Sequence, residues 1–422
     1  MTYTEAVEFI TAANAKGSCP GLERIEELMR RLGDPQAAMR FVHVTGTNGK
    51  GSAATMLAAI LTAAGYRCGL YTSPHLLSYK EDFRVDGREL SDADFCAAVE
   101  AVAEAEQGMS DAPTEYERLT AIAIECFRRS GCDISILEVG CGGEGDSTNI
   151  IPSPEAAMIM NIGLEHQSFL GDTLEKIATV KSGIIKPGCD AVCYRCSAGV
   201  EQVLEERCAK VGARLHKADF DAIEPIESSL SGQRFRWKGQ ELTLALLGGH
   251  QLKNAAVVLT TVEALRQRGW AISEAAVAEG LAAARWPARF EVLRHEPLFV
   301  VDGGHNPQCA EAMAELLREN RAENSLTFLL GALADKDYRQ MLELIWPWAK
   351  DFITVTPESH RALRSDAMAE LIRFMGKEAT ACATIDEGVA LAIERGGDTL
   401  AFGSLYMAGH ARENFLRRID HD

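Results

Sequence analysis

The sequence predicts an α/β protein in two parts: a larger N-terminal domain on a P-loop-type, mainly parallel sheet, and a smaller C-terminal α/β domain of Rossmann-like kind. Three observations carry that prediction. Short β-rich runs alternate with longer helical ones, as in a parallel sheet with helices on both faces. Trp286-Pro287 interrupts the alternation, which then restarts, so a boundary near residue 287 separates 1–287 from 288–422. Between the first strand and its helix lies Gly46-Thr47-Asn48-Gly49-Lys50-Gly51-Ser52, three glycines around a lysine.

The elements follow in order. Strands are expected over residues 41–44, 67–71, 134–139, 156–161 and 191–194, with helices over 52–64, 91–106 and 115–129. The stretch 213–247 reads differently, as short alternating strands joined by turns. Helix returns over 250–269 and 273–284. After the Trp-Pro break, strands are expected over 298–301, 326–331, 351–355 and 399–402, with a helix from about Pro307.

Bulk properties bound the function. Of 422 residues, 47% are hydrophobic and 25% charged, the balance of an ordinary soluble globular protein. A net charge of −18 argues against a nucleic-acid surface, while an anionic small substrate stays open because local donors outweigh a distant field. Apolar runs such as 53–64 are too short to span a bilayer, and MTYTEAVEFITAANAKG lacks a basic start and a hydrophobic signal core. The expected setting is the cytoplasm, away from membranes, with the twelve cysteines reduced and mostly buried. Cys193 and Cys196 have a CxxC spacing but no second pair or histidine to match, so no metal or redox role is expected of them.

The loop does not have the usual phosphate-loop spacing, yet it has the required parts. Glycines let backbone N–H groups converge at a helix N-terminus, Lys50 suits terminal phosphates, and Thr47 or Ser52 offers a hydroxyl for magnesium. Glu138 ends an apolar strand, where a carboxylate commonly holds the metal of such a site; a solvated loop carboxylate is the alternative. His166 follows another apolar strand and reads as either a structural histidine or a metal ligand. Lys181, before a Pro-Gly turn, reads by itself as a solvated lysine.

Taken together, the motifs are more specific. GTNGKGS, TSPHL at 72–76, TEYERLT at 114–120, LEVGCGG…DSTN, GLEH, KSGIIKPG, GHQLKNAA at 249–256, VDGGHNP at 301–307 and GSLY at 403–406 occur in this order. The chain thereby resembles the folylpolyglutamate synthase / dihydrofolate synthase family of the Mur ligase superfamily over roughly residues 40–410. The resemblance implies that Thr47, Asn48, Gly49, Lys50, Gly51 and Ser52 hold the ATP triphosphate. It implies Ser73, Glu138 and His166 as magnesium positions, with Lys181 carbamylated and able to hold a second ion. Asn254, Arg289 and Asp302, with His305 nearby, match ATP-binding residues, and contact from both domains implies a closure that excludes water. Thr114, Tyr116 and Glu117, with Asp146 and Ser147, fall in segments that contact a pterin-bearing substrate. Lys50, Lys181 and His166 are the expected catalytic residues; the expected substrates are a folate or dihydropteroate, ATP and L-glutamate, and the expected state is a monomer.

The implied chemistry is ATP-dependent amide ligation through an acyl phosphate, in which metals, Lys50 and backbone amides stabilise developing charge. The family's GGRLDATN appears here as Gly142-Gly143-Glu144-Gly145-Asp146-Ser147-Thr148-Asn149, so Glu144 replaces an arginine beside the expected substrate site. That leaves open a related ligase acting on another acid. DGGHN for DGAHN and PAR for PGR are expected to be neutral. A cell-wall Mur ligase would carry a further domain before the loop, and a non-catalytic relative would not need Lys50, Glu138, His166 and Lys181 together.

Overall fold

The structure, a computed structural model, describes residues 1–13, 17 and 21–419. Contacts divide it into two compact units. One comprises Met1–Glu224, Arg236–Leu242 and Leu252–Ala284; the other comprises Pro225–Phe235, Thr243–Gln251 and Arg285–Asp422.

In the first unit, strands β1 (Phe41–Thr45), β2 (Cys68–Tyr71), β3 (Phe83–Val85), β4 (Arg88–Glu89), β5 (Ile134–Glu138), β6 (Ala156–Ile159), β7 (Asp190–Cys193) and β8 (Arg214–Lys217) form one sheet. Its order is β4-β3-β2-β5-β1-β6-β7-β8. Pairing is parallel from β2 through β8 and antiparallel at the β2–β3–β4 edge. Every residue of β1 and β5 is buried, as strands covered by helices on both faces require. The expected run 156–161 stops at Ile159, and Asn161 instead bridges to Asn48 of the glycine-rich loop.

Helices α1 (Tyr3–Thr11), α2 (Glu23–Arg31), α3 (Lys50–Ala63), α4 (Asp92–Glu106), α5 (Glu115–Arg129), α6 (Gln167–Leu170), α7 (Leu174–Lys181) and α8 (Ala198–Val211) accompany the sheet. Phe95, Val99, Ile122 and Phe127 of α4 and α5 join Ile10 and Leu28 of α1 and α2 in one apolar cluster; Ile177 and Leu204 of α7 and α8 anchor another. Helices α9 (Gly249–Gln267) and α10 (Glu274–Ala283) follow, and α10 packs on α3.

Asp190 at the start of β7 has no exposed side-chain surface and accepts from His216 Nε2 at 2.7 Å, an Arg214 nitrogen at 2.9 Å and an Arg268 nitrogen at 3.2 Å. Burial alone would raise its pKa, but those three donors hold it below the ordinary carboxylate value. A depressed pKa contributes stability above the unfolded value near 4 and loses it as pH falls through the folded value. Asp190→Asn should therefore destabilise the unit by about 3 kcal/mol at neutral pH, with a smaller difference from wild type in acid. Denaturant melts at both pH values measure this, and equal midpoints at neutral pH would refute it.

Strands β9 (Ile223–Ser229), β10 (Gly232–Trp237) and β11 (Gln240–Leu244) form a small sheet in the order β11-β10-β9, assigned partly to each unit. The second unit's main sheet contains β12 (Glu291–His295), β13 (Leu298–Val301), β14 (Leu326–Leu330), β15 (Ala349–Thr354), β16 (Ala379–Ala381) and β17 (Thr399–Phe402), in the order β12-β13-β17-β14-β15-β16. Only β12–β13 is antiparallel. Helices α11 (Pro307–Asn320), α12 (Tyr338–Ile345) and α13 (Ser365–Met375) pack around Phe328, Phe352 and Phe402, and α14 (Ile385–Arg395) and α15 (Leu405–Ile419) complete the unit. Among the described residues, no helix is long and apolar enough to cross a membrane.

Two substitutions expected to be neutral are not. Ala288, of the PAR stretch, sits at φ +54, a left-handed conformation that costs a non-glycine residue about 1–2 kcal/mol. At Gly304, of DGGHN, a Cβ would come within 2.7 Å of Asp302 Oδ1 and of Phe402, so the alanine that matches the family would not fit without a shift.

Candidate functional site

The site grows from the end of β1. Thr45 hands the chain to the loop, whose Thr47 N donates to Asn161 O at 2.7 Å while Thr47 Oγ1 bonds both Gly163 O (3.1 Å) and Gly163 N (3.0 Å). Gly49 adopts φ +88, and a Cβ there would lie 2.6 Å from Asn254 Oδ1 of α9. Asn254, expected at the nucleotide, is thus built against the loop. Lys50 opens the fourteen-residue α3, and its Nζ donates to Gly46 O (2.9 Å) and Thr47 O (3.2 Å), parking a cation over the loop's own carbonyls. Gly51 and Ser52 follow in the first turn of α3, with Ser52 buried. A concave run of backbone N–H groups at a helix N-terminus, beside a lysine, suits a polyphosphate. Gly49→Ala should weaken nucleotide binding by at least about tenfold, because the side chain is both strained and obstructed. Calorimetric titration with an ATP analogue checks this, and unchanged affinity would contradict it.

Around this loop the structure gathers further groups. Lys181, at the end of α7, has a side chain only 2% exposed, and its Nζ lies 2.8 Å from Glu165 Oε1. Burial lowers the Lys181 pKa and the Lys50 charge lowers it further, while Glu165 opposes both. Glu165 is raised by burial, yet Lys181, Lys50 and a Thr47 hydrogen bond bring it below its ordinary value. Lys50, Thr47, Glu165 and Lys181 therefore converge. Lys181 is not the solvated lysine that its surroundings in the sequence suggest. Glu165 was missed, although GLEH after an apolar strand was the available signal.

Glu138 ends β5 beside β1 and is buried. Tyr116 Oη donates to Glu138 O at 3.3 Å and also bonds the Ser73 side chain, so Ser73, Tyr116 and Glu138 form one neighbourhood. A hydroxyl and a carboxylate are hard oxygen donors of the kind magnesium takes, usually few per site and completed by phosphate and water. Among the described residues, no three His, Cys, Asp or Glu side chains gather in a cage. That sparse donor set fits magnesium better than a dedicated protein-only metal centre. His166 is exposed, at φ +43, and directly precedes the four-residue α6.

The expected acid-substrate residues have structural tasks. Thr114 and Glu117 form the capping box of α5, and Glu117, buried, also pairs with Arg24 at 3.1 Å. Ser147 Oγ lies 2.7 Å from Thr120 Oγ1. Asp146 is buried and accepts from Cys141 N and Thr148 N, each at 3.0 Å. Burial raises its pKa against those bonds. Glu144, by contrast, is exposed.

In the second unit, Asp302 Oδ2 accepts from Phe290 N and Oδ1 from Gly304 N, each at 2.7 Å. Burial raises its pKa, and the Arg289 charge opposes that. His305 Nδ1 lies 3.1 Å from Gly303 O; burial lowers its pKa against that bond, with the Arg289, Lys336 and Arg361 charges adding to the shift. Ser404 ends the same sheet edge, 1% exposed, and its Oγ has no hydrogen-bond partner among the described residues.

Known proteins resemble the chain over nearly its whole length. The profile of the Mur ligase middle domain matches residues 44–262, and that of the Mur ligase glutamate ligase domain matches 288–403. The chain is 34% identical to a folylpolyglutamate synthase of Lacticaseibacillus casei, covering 99% of each. It is 35% identical to a dihydrofolate synthase/folylpolyglutamate synthase of Bacillus subtilis, over 81% of this chain and 82% of that one. The crystal structure of Mycobacterium tuberculosis folylpolyglutamate synthase complexed with ADP superposes with a TM-score of 0.87 at 31% identity, covering 98% of each chain.

Proposed function

The chain belongs to the Mur ligase family, in its folylpolyglutamate synthase and dihydrofolate synthase branch, and we propose that it is an ATP-dependent ligase joining L-glutamate to a folate-type carboxylate. The observation that carries this reading is the convergence of Lys50, Glu165 and Lys181 at the mouth of a glycine loop whose inner wall is Asn254. It is a place for charged phosphoryl oxygens.

In the reaction, a carboxylate oxygen of the acid takes the γ-phosphoryl group of ATP and ADP leaves. The amine of glutamate then attacks the acyl carbon, phosphate departs, and the amine gives up its proton. Lys50 leaves its resting bonds to Gly46 and Thr47 for the moving phosphoryl group, supplying charge where charge develops. Ser73 and Glu138 would hold magnesium, with His166 as a further ligand, and the ion would supply Lewis-acid stabilisation of the phosphoryl oxygens. Lys181, once carbamylated, would serve a second ion. Asp302 and His305 serve the nucleotide from their own unit, and the buried, unpartnered Ser404 hydroxyl is available to the glutamate. The protein works in the cytoplasm as a monomer.

The test is a panel of acids (dihydropteroate, tetrahydrofolate and its glutamates, a muropeptide precursor) with ATP and glutamate, read by product mass. Amide product from a pterin acid supports the reading, and product from the muropeptide alone overturns it. Glu144, exposed on the 140–149 loop, tunes the choice of acid. Glu144→Arg should lower KM for anionic folates severalfold by exchanging repulsion for attraction, and steady-state kinetics that do not change would make the residue neutral.

A further inference from the structure

His43 carries chemistry that the cradle and the magnesium positions do not use. It lies in the middle of β1 between Val42 and Val44, with no exposed surface, where the strand pattern would suit an aliphatic residue. Its Nε2 is 2.8 Å from Thr148 Oγ1. That hydroxyl donates its single proton to Asp146 Oδ1, so Nε2 must carry the hydrogen and donate. Nδ1 is then a bare acceptor, buried without a partner among the described residues, a cost of about 1–3 kcal/mol that an aliphatic side chain would avoid. Burial, with the nearby Lys186 charge, pushes the ring pKa down to about 3, so the ring stays neutral.

The bond reaches a loop with several attachments. Thr45, two residues along β1, donates to Gly142 O at 2.7 Å. Asp146 collects Cys141 N and Thr148 N, and Glu144 N donates to Val180 O beside Lys181. The strand that delivers the phosphate loop thus also grips the loop after Glu138 at two points, Gly142 and Thr148. Ser147 sits between Asp146 and Thr148.

We propose that His43 is a positioning residue whose Nε2–H fixes the Thr148 hydroxyl, completes the donors around Asp146, and so holds loop 140–149 in the shape that meets the acid substrate. The inference rests on the ligase reading for its substrate, while the hydrogen-bond relay stands on geometry alone.

The test compares His43→Leu, which cannot donate, with His43→Gln, whose side-chain amide can donate from near the Nε2 position. His43→Leu should raise KM for the acid by at least about tenfold while the Kd of an ATP analogue stays within about twofold. His43→Gln should return most of the lost KM. Thr148→Val removes the acceptor from the other end and should reproduce the defect without adding to it in the double variant; it also carries the test if His43→Leu does not fold. Wild-type kinetics in His43→Leu, equal damage in His43→Gln, or fully additive losses would each overturn the proposal. Nitrogen NMR of the wild-type ring reads the relay independently: a neutral Nε2–H tautomer across pH 5–8 supports it, and an Nδ1–H tautomer sinks it even if the acid substrate proves to be something else.

Discussion

Lys50→Ala lowers turnover by at least about 10³-fold, roughly 4 kcal/mol of transition-state stabilisation, and leaves the fold in place. The structural cost is small, since residue 50 opens α3, where alanine is a strong helix former, and its side chain makes only two bonds, to Gly46 O and Thr47 O. The chemical cost is large because both steps build negative charge on phosphoryl or acyl oxygens, and no other cation the site gathers is free for them. Lys181 is committed to Glu165 at 2.8 Å. Steady-state ADP release, with circular dichroism to confirm folding, measures the effect. A well-folded variant within tenfold of wild type would remove Lys50 from the chemistry.

Lys181→Ala should be nearly as damaging, and recoverable in a way that Lys50→Ala is not. A buried amine with a depressed pKa is more readily the neutral nucleophile that combines with carbon dioxide, forming an N–C bond and releasing a proton. The resulting carbamate is an anion in the place of a cation. Alanine deletes it together with the metal ligand it would provide, so we expect a loss of about 10²–10³-fold. A short carboxylate such as acetate should then restore part of the rate, and wild-type protein grown with carbon-13-labelled bicarbonate should show a carbamate signal. Absence of both the signal and the recovery would leave Lys181 as an ion-pair partner of Glu165 alone.

How much was legible in the sequence depends on whether the signal was local. The cradle was legible because three glycines around a lysine, between an apolar strand and a helix, have few other uses, and α3 begins within two residues of its expected start. The place of Glu138 was legible too: a carboxylate directly after Ile134, Ile136 and Leu137 stands out. Edges were not. The β3–β4 hairpin and β12 are short and carry charged residues, and β16 has three residues, so their periodicity is too brief to read.

Non-local commitments were also hidden. Asp146 and Glu117 look like substrate carboxylates in the sequence, but one accepts backbone N–H groups of its own loop and the other caps α5 and pairs with Arg24. Glu165 looked like the neighbour of a ligand, and only the fold reveals that α7 returns Lys181 to it. The strain at Ala288 and the crowding at Gly304 are properties of backbone angle and three-dimensional packing that residue identity does not carry.

The most direct measurement is ADP release by the wild-type protein with dihydropteroate or tetrahydrofolate, omitting the acid and L-glutamate in turn, alongside the mass of the organic product. A glutamate ligase built on the Lys50 cradle gives sustained ADP release only with both present and a product heavier by one glutamyl unit. ADP release that ignores glutamate, or no amide product at saturating ATP, would contradict it.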